Sequence, residues 1–359
     1  MSSSARQSSR PVLAITHGDP CSIGPELCLS AARRWLSNGD EYTPLFIAEP
    51  RALAAAETAL RAIEPSNPPI PWRWIKKDGA FELEIEAARA RGQVPAMDPV
   101  LAEPTQRSAP TFGRPGPDDA LGALRAIELA TELALAHRVA GIVTNAVHKG
   151  VIAEHVDENF RGHTDTLAEL CERAARRPLR YGRDYLMAFL GDDLQVALLS
   201  THVPLRQALD ELSEDAIVDA LICMRASLPE GVRIAVAGLN PHAGEGGLLG
   251  SEDDDIVAPA VRRAREMGLD VRGPESADTL FLRARRGEFD WILALYHDQG
   301  LIAVKTLAFG STVNWSMGLP ILRTSVDHGT AYDLGGWGRA DAAGLFAAID
   351  SAVELANRF

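Results

Sequence analysis

Short apolar runs recur along this chain, and helical stretches separate them. The runs are "PVLAIT" (11–16), "TPLFIA" (43–48), "AGIVT" (140–144), "YLMAFL" (185–190), "LQVALLS" (194–200), "VRIAVAG" (232–238), "WILALY" (291–296) and "ILRTS" (321–325). Most are continuously apolar rather than alternating, so the strands they form need cover on both faces. Between them, the stretch from Gly24 to Leu36, "DDALGALRAIELATELALAHR" (118–138) and the C-terminal "DAAGLFAAIDSAVELANRF" read as helices, with apolar residues at three- and four-residue spacing. Strands alternating with helices predict an α/β chain with mostly parallel sheets. At 359 residues the chain exceeds one ordinary core, which predicts two domains. "PSNPPIPW" (65–72) reads as a proline-rich break, and residues 93–117 as an irregular loop or a pair of edge strands.

Charge narrows the partners. A net charge of −13 argues against a nucleic-acid or anionic-lipid surface, while leaving room for a local basic pocket that holds a small anion. No apolar run is long enough to span a bilayer, so no membrane partner is expected. The polar start "MSSSARQSSRP" lacks the apolar core of a signal peptide and reads as a frayed tail. Cys21, Cys28, Cys171 and Cys223 show no C-x-x-C spacing, as expected of reduced thiols in a cytoplasmic protein.

Three histidines share one placement. His202 follows "VALLS", His242 follows "VRIAVAG", and His297 follows "WILALY". Ligands of open α/β sheets sit at the C-terminal ends of the strands. Three imidazoles delivered there would suit a divalent metal with open positions for substrate, with Asp298 orienting His297. Each can equally be a polar residue that closes a strand, and spacing alone leaves both readings open. In "GHTD", His163 and Thr164 precede a helix whose N-terminus could favour an anion; Thr164 or Asp165 could instead be a simple N-cap. "NPHAGEGGLLGSED" (240–253) lets backbone approach a ligand closely but is no G-x-G-x-x-G fingerprint, and there is no Walker lysine motif. Lys305 and Arg323, near strand ends, suit a phosphate or carboxylate, or form a solvated surface pair; Asn314 lies between them.

With these residues in view, the chain resembles the 4-hydroxythreonine-4-phosphate dehydrogenase family. The resemblance rests on "ITHGDPCSIGPE", "VHKGVI", "GHTD", "STHVPLR", "GLNPHAGEGG", "GPESADTLF", "YHDQGL" and "GLPILRTSVDHGTAYDL", which occur in family order from residue 15 to about 341. It implies an isocitrate/isopropylmalate dehydrogenase-like fold of two α/β/α domains, with the active site in the interdomain cleft at a homodimer interface. Residues 1–145 with 302–359 would form the first domain, and 146–301 the central one. It implies that His202, His242 and His297 bind one divalent ion (Zn, Mg, Co, Mn or Ni). His163, Thr164, Asp278, Lys305, Asn314 and Arg323 would bind a phosphorylated small molecule, with His163, Asp278 and Lys305 also catalytic. His328, Gly329, Thr330 and Ala331 in "DHGTA" would bind NAD or NADP.

The implied reaction oxidises a secondary alcohol to a β-keto acid, which then loses CO₂. Lys149 is a further candidate, with a surface lysine as its alternative. Some positions depart from the family pattern: Cys21 and Ser22 replace Ala-Gly, Glu275 and Ser276 replace Leu-Pro, Tyr332 and Trp337 enlarge the nucleotide loop, and "AARRPLRYGRDY" (174–185) looks reworked. Bulky Trp315 is expected to narrow the pocket beside Asn314. These positions leave open a relative acting on another alcohol, such as phospho-threonate, phospho-erythronate or an aromatic-acid dihydrodiol. A metal-independent acyltransferase and a non-catalytic binding protein are the alternatives from other classes.

Overall fold

The structure is a computed structural model describing residues 10–39, 41–77, 79–100, 108–308 and 310–358, so the N-terminal tail read as frayed lies largely outside it. The strands, in chain order, are β1 Val12–Thr16, β2 Thr43–Ile47, β3 Trp72–Trp74, β4 Val94–Met97, β5 Gly141–Thr144, β6 Leu186–Leu190, β7 Gln195–Leu198, β8 Ile234–Ala237, β9 Val271–Glu275, β10 Trp291–Ala294, β11 Val313–Met317 and β12 Arg323–Val326. The chain divides into two units, one from residues 1–170 with 321–359 and the other from 171–320.

In the first unit the strand order is β3-β4-β2-β1-β5-β12, and every neighbouring pair is parallel. Every residue of β2, β5 and β12 is buried. Successive side chains point to opposite faces, so both faces are covered, as the continuous apolar runs require. Helix Gly24–Asn38 starts with a proline in its first turn and stops at Gly39 (φ 59°), whose N–H returns to the Trp35 carbonyl. Helix Ala343–Arg358 packs on β12 and β5.

In the second unit the order is β11-β6-β7-β10-β8-β9. The strands β7, β10, β8 and β9 run parallel, whereas β6 is antiparallel to both β7 and β11. The β6–β7 connection explains the change of direction: it is a tight turn closed by Gly191 N–H on the Leu194 carbonyl at 3.1 Å, and a hairpin makes its strands antiparallel. The core joins Phe189, Val196, Leu198, Ala235, Ile292, Leu301 and Val304.

The expected mostly parallel α/β architecture is therefore present. Four strands, β3, β4, β9 and β11, lie outside the apolar runs. Strand β4 occupies part of the region read as loop or edge strands, while β3, β9 and β11 have mixed polarity. Strand β9 contains Pro274 and lies at the sheet edge, where a missing N–H is tolerated. Among the described residues, no helix is long and apolar enough to cross a membrane. The four cysteines are free and buried.

Candidate active site

Both units present polar residues past the C-terminal ends of parallel strands. In the second unit, β7, β10 and β8 are adjacent, and their chains run on to His202, His297 and His242 respectively. The rings of His202 and His297 stand 5.2 Å apart, centre to centre. Two imidazoles on one tetrahedral ion, with metal–nitrogen bonds of about 2.0–2.1 Å, have ring centres roughly 5 Å apart. His297 Nδ1 lies 2.7 Å from Asp298 Oδ1, and His242 Nδ1 lies 3.3 Å from Glu245 Oε2. A carboxylate at Nδ1 fixes the proton there and leaves Nε2 with its lone pair outward, the arrangement metal-binding histidines use. The donor set thus fits a divalent ion in its chemistry. Among the described residues, no three His, Cys, Asp or Glu side chains are gathered closely enough to hold one, so His242 is not drawn in with the pair.

His242 belongs to an unusual backbone stretch. Residues 242–247 all have positive φ, from 54° at His242 and 53° at Ala243, through 79° at Gly244 and 45° at Glu245, to 65° and 88° at Gly246 and Gly247. Three of the six are not glycine, and each of these costs roughly 1–2 kcal/mol in a left-handed conformation.

Asp278 lies in the first turn of the helix Ala277–Arg285, within electrostatic reach of His242. The Ser276 hydroxyl donates to Asp278 at 2.6 Å, and this bond, with His242, holds the carboxyl below its ordinary range. Lys305 lies in the last turn of helix His297–Leu307, eight residues or roughly 12 Å along the helix from His297, so it is a helix residue rather than a strand-end one. Asn314 lies on β11. Trp315, the next residue, therefore faces the other side of the sheet; it is 3% exposed and packs edge-on against Trp291, so it does not wall the space beside Asn314. Next to His202 opens a cavity of about 490 Å³ lined by Arg180, Tyr181, Arg183, Ser200 and Thr201 among others, which brings the reworked 174–185 segment beside the predicted metal ligand.

The first unit is built differently. His163 and Thr164 form the first turn of helix His163–Ala175 rather than its flank. His163 Nε2 is sealed from solvent without a hydrogen-bond partner. Burial, then the charges of Arg323 and Lys149, hold the imidazole well below its usual value, so it is neutral at pH 7. Arg323, at the start of β12, is 3% exposed, and its Nε and Nη2 donate to Thr144 Oγ1 at 3.0 and 2.7 Å. Burial pushes its guanidinium down to about 9, and it remains charged at pH 7. Lys149 lies across Gly162, where a Cβ would stand 2.8 Å from Lys149 Cε.

The predicted nucleotide loop follows β12 on the edge where β1 and β5 also end. His328 Nδ1 lies 2.9 Å from the Gly329 carbonyl, its Nε2 is buried without a partner, and Ala331 has φ 45°. The Tyr332 hydroxyl donates to Asp19 at 2.5 Å, and its ring stacks on His148. Burial raises Asp19 from its ordinary value despite that bond. Beneath this edge Arg51 pairs with Glu49 at 3.0 Å and with Asp119 at 2.7 Å. Burial would raise Glu49, but His17 and Arg51 prevail and hold it at about 2. Sequence reasoning misses this network, since a lone Glu, Arg or Asp beside an alanine-rich helix carries no signal of pairing.

Comparisons with known proteins identify the chain's relatives. The family model for pyridoxal phosphate biosynthetic protein PdxA matches residues 40–352. The chain is 38% identical over 360 residues to the 4-hydroxythreonine-4-phosphate dehydrogenase of Desulfosudis oleivorans, covering 97% of this chain and 96% of the other. It is 39% identical over 356 residues to the enzyme of that name from Aromatoleum aromaticum, covering 97% of each. It matches the crystal structure of 4-hydroxythreonine-4-phosphate dehydrogenase from Klebsiella pneumoniae with a TM-score of 0.77 at 31% identity, covering 96% of this chain and 99% of that one. The chain belongs to the family of the pyridoxal phosphate biosynthetic protein PdxA.

Proposed function

We propose that this chain oxidises the secondary alcohol of 4-hydroxythreonine-4-phosphate with NAD or NADP, giving a β-keto acid that loses CO₂ to leave 3-amino-2-oxopropyl phosphate. The relatives named above support this substrate over another alcohol. Within the chain, the reading is carried by Arg323, a buried cation in an acidic protein, with Lys149 and a neutral His163 in electrostatic reach of one another. A buried charge is costly, and an arriving phosphate or carboxylate offsets that cost.

The residues divide as follows. His163, Thr164, Asp278, Lys305, Asn314 and Arg323 bind substrate, and His328, Gly329, Thr330 and Ala331 receive the nucleotide. His202, His242 and His297 would hold one divalent ion. When bound, the ion would supply Lewis acidity toward the alcohol oxygen and the nucleotide would supply a hydride acceptor. Arg323 can grip an anionic group with two parallel hydrogen bonds, and Lys149 adds a point charge. His163, kept neutral, offers an unoccupied ring nitrogen to a substrate oxygen or its proton. Asp278, kept ionised, can receive the substrate amino group.

A homodimer with a shared site is part of the same proposal. Leu205, Leu209, Leu248 and Ile302, large exposed apolar side chains of the second unit, are candidates for its interface. Sedimentation velocity tests it, and an active monomer would remove it. The activity is tested by incubating the protein with the phosphorylated amino alcohol acid, either nucleotide and a panel of divalent ions, following reduced nucleotide and CO₂. Absence of both products under every combination, or preference for an uncharged diol, would overturn the assignment.

A further inference from the structure

The three strand ends that carry His202, His297 and His242 are tied together by side chains with no assigned role. The regular ladder between β10 and β8 has its last register pair at Leu293 and Val236. Beyond it, the chains separate to send out the histidine-bearing segments. Gln299, two residues after His297, spans that gap. Its Oε1 accepts the Leu295 N–H at 2.7 Å, and its Nε2 donates to the Gly238 carbonyl at 2.7 Å. Leu295 follows β10 and Gly238 follows β8, so one amide joins the end leading to His297 with the end leading to His242. On the other side, Ser200 Oγ donates to the Leu295 carbonyl at 3.0 Å and joins the end leading to His202. Past Gly238, the fully buried Asp253 accepts from Leu239 N–H at 2.7 Å, Asn240 N–H at 2.9 Å and Asn240 Nδ2 at 3.0 Å.

The chemistry of this brace is selective. Gln299 must accept on one side and donate on the other, which neither a carboxylate nor an ammonium can do. Its helix is held against the strands by Gly300, where a Cβ would lie 2.8 Å from both Leu198 and Val196 side chains. Asp253 opens a π-helical turn, Asp253–Val257, a departure from regular helix that recurs at functional sites. It anchors the backbone immediately before the left-handed stretch that begins at His242. Such strain persists only where surrounding contacts over-determine it.

We propose that Gln299 and Asp253 are positioning residues that set where the His297 and His242 imidazoles stand, and through that the affinity for a divalent ion. This rests on the metal reading above. The test is calorimetric titration of metal-free protein with Zn²⁺ and with Co²⁺. Gln299→Leu and Asp253→Asn should each bind about 10–100-fold more weakly than wild type, the range seen when a ligand's supporting partner is lost. Cooperative thermal unfolding should persist, and the Leu295 amide should lose hydrogen-exchange protection in Gln299→Leu. Thr306→Ala, on the same helix, should bind as wild type. If Gln299→Leu fails to fold, the isosteric Gln299→Glu keeps an acceptor for Leu295 and loses the donor to Gly238; it should bind about tenfold more weakly. Wild-type affinity in both brace variants, while His297→Ala binds weakly, overturns this inference and leaves the metal site standing. Wild-type affinity in His297→Ala and His242→Ala, or no binding by wild type, overturns the metal reading and the brace with it.

Discussion

His163 in the first unit and His297 and His242 in the second meet opposite environments. In the first unit, His163 is enclosed with two cations, Arg323 and Lys149, and is held neutral. In the second, His297 and His242 are partly open to solvent and each has a carboxylate at Nδ1. Both sets lie at helix or strand termini on an α/β scaffold; what distinguishes them is burial and then the neighbouring charges. A buried imidazole within electrostatic reach of cations resists a proton and leaves the local field positive, which suits an anionic ligand. An imidazole backed by a carboxylate becomes a better electron-pair donor, which suits a metal cation. Each site is thus polarised for a ligand of opposite sign.

The sharpest break of this comparison removes the cation. Losing a buried charge-assisted contact costs about 2–5 kcal/mol, so Arg323→Ala should lower kcat/KM by roughly one and a half to nearly four decades. A large loss with the phosphorylated acid and a small one with its unphosphorylated analogue places Arg323 on the phosphate; large losses with both place it on the carboxylate. A change of less than about tenfold with both substrates would mean that Arg323 is a structural residue.

The next break removes an imidazole from the second unit. His297→Ala deletes a proposed ligand, so metal affinity should fall by more than the ~10–100-fold that follows loss of an outer partner. Metal content by mass spectrometry after dialysis reads this directly, and full retention would remove His297 from the site. A smaller effect belongs to Asp298→Ala, which leaves the imidazole and deletes the carboxylate 2.7 Å from its Nδ1. Its expected loss is ~10–100-fold. If Asp298→Ala matched His297→Ala, the aspartate would be a ligand itself.

The sequence makes the two regions legible to different depths. Strands β1, β7, β8 and β10 stand out because a strand covered on both faces is a run of apolar residues, and a histidine just past such a run has its place in the fold determined. Strands β3, β9 and β11 do not stand out, because Arg73, Arg272, Asn314 and Ser316 interrupt their apolar character. Trp315 is misread for a related reason: proximity in sequence to Asn314 says little when neighbours on a strand face opposite sides. The "HDQG" motif makes His297 visible but not the span from Gln299 to Gly238, 61 residues away. The environment of His163 is least legible of all. Its neighbours Lys149 and Arg323 lie 14 positions before and 160 after it, and the packing that seals its Nε2 exists only in three dimensions.

The smallest expected effect tests that environment without any ligand. A histidine held below its ordinary value of 6.5 in the folded chain takes up its proton in the unfolded chain first. Between that value and the lower folded-state one, the unfolded state therefore binds more protons, and stability rises with pH. The contribution is fully present above pH 6.5 and is lost as pH falls below it. His163→Gln keeps a polar side chain that cannot titrate, so its unfolding free energy should fall less steeply on acidification, by up to about 1.4 kcal/mol per pH unit. Urea unfolding of both proteins from about pH 7 to pH 5 measures the difference. Parallel slopes would mean that His163 titrates in the folded chain as it does in the unfolded one, and the contrast between the two sets of histidines would fail at its most buried member. Inorganic phosphate sharpens the same measurement. An anion that settles beside Arg323 and Lys149 offsets the charges that, after burial, oppose protonation, so saturating phosphate should narrow the difference in slope between wild type and His163→Gln.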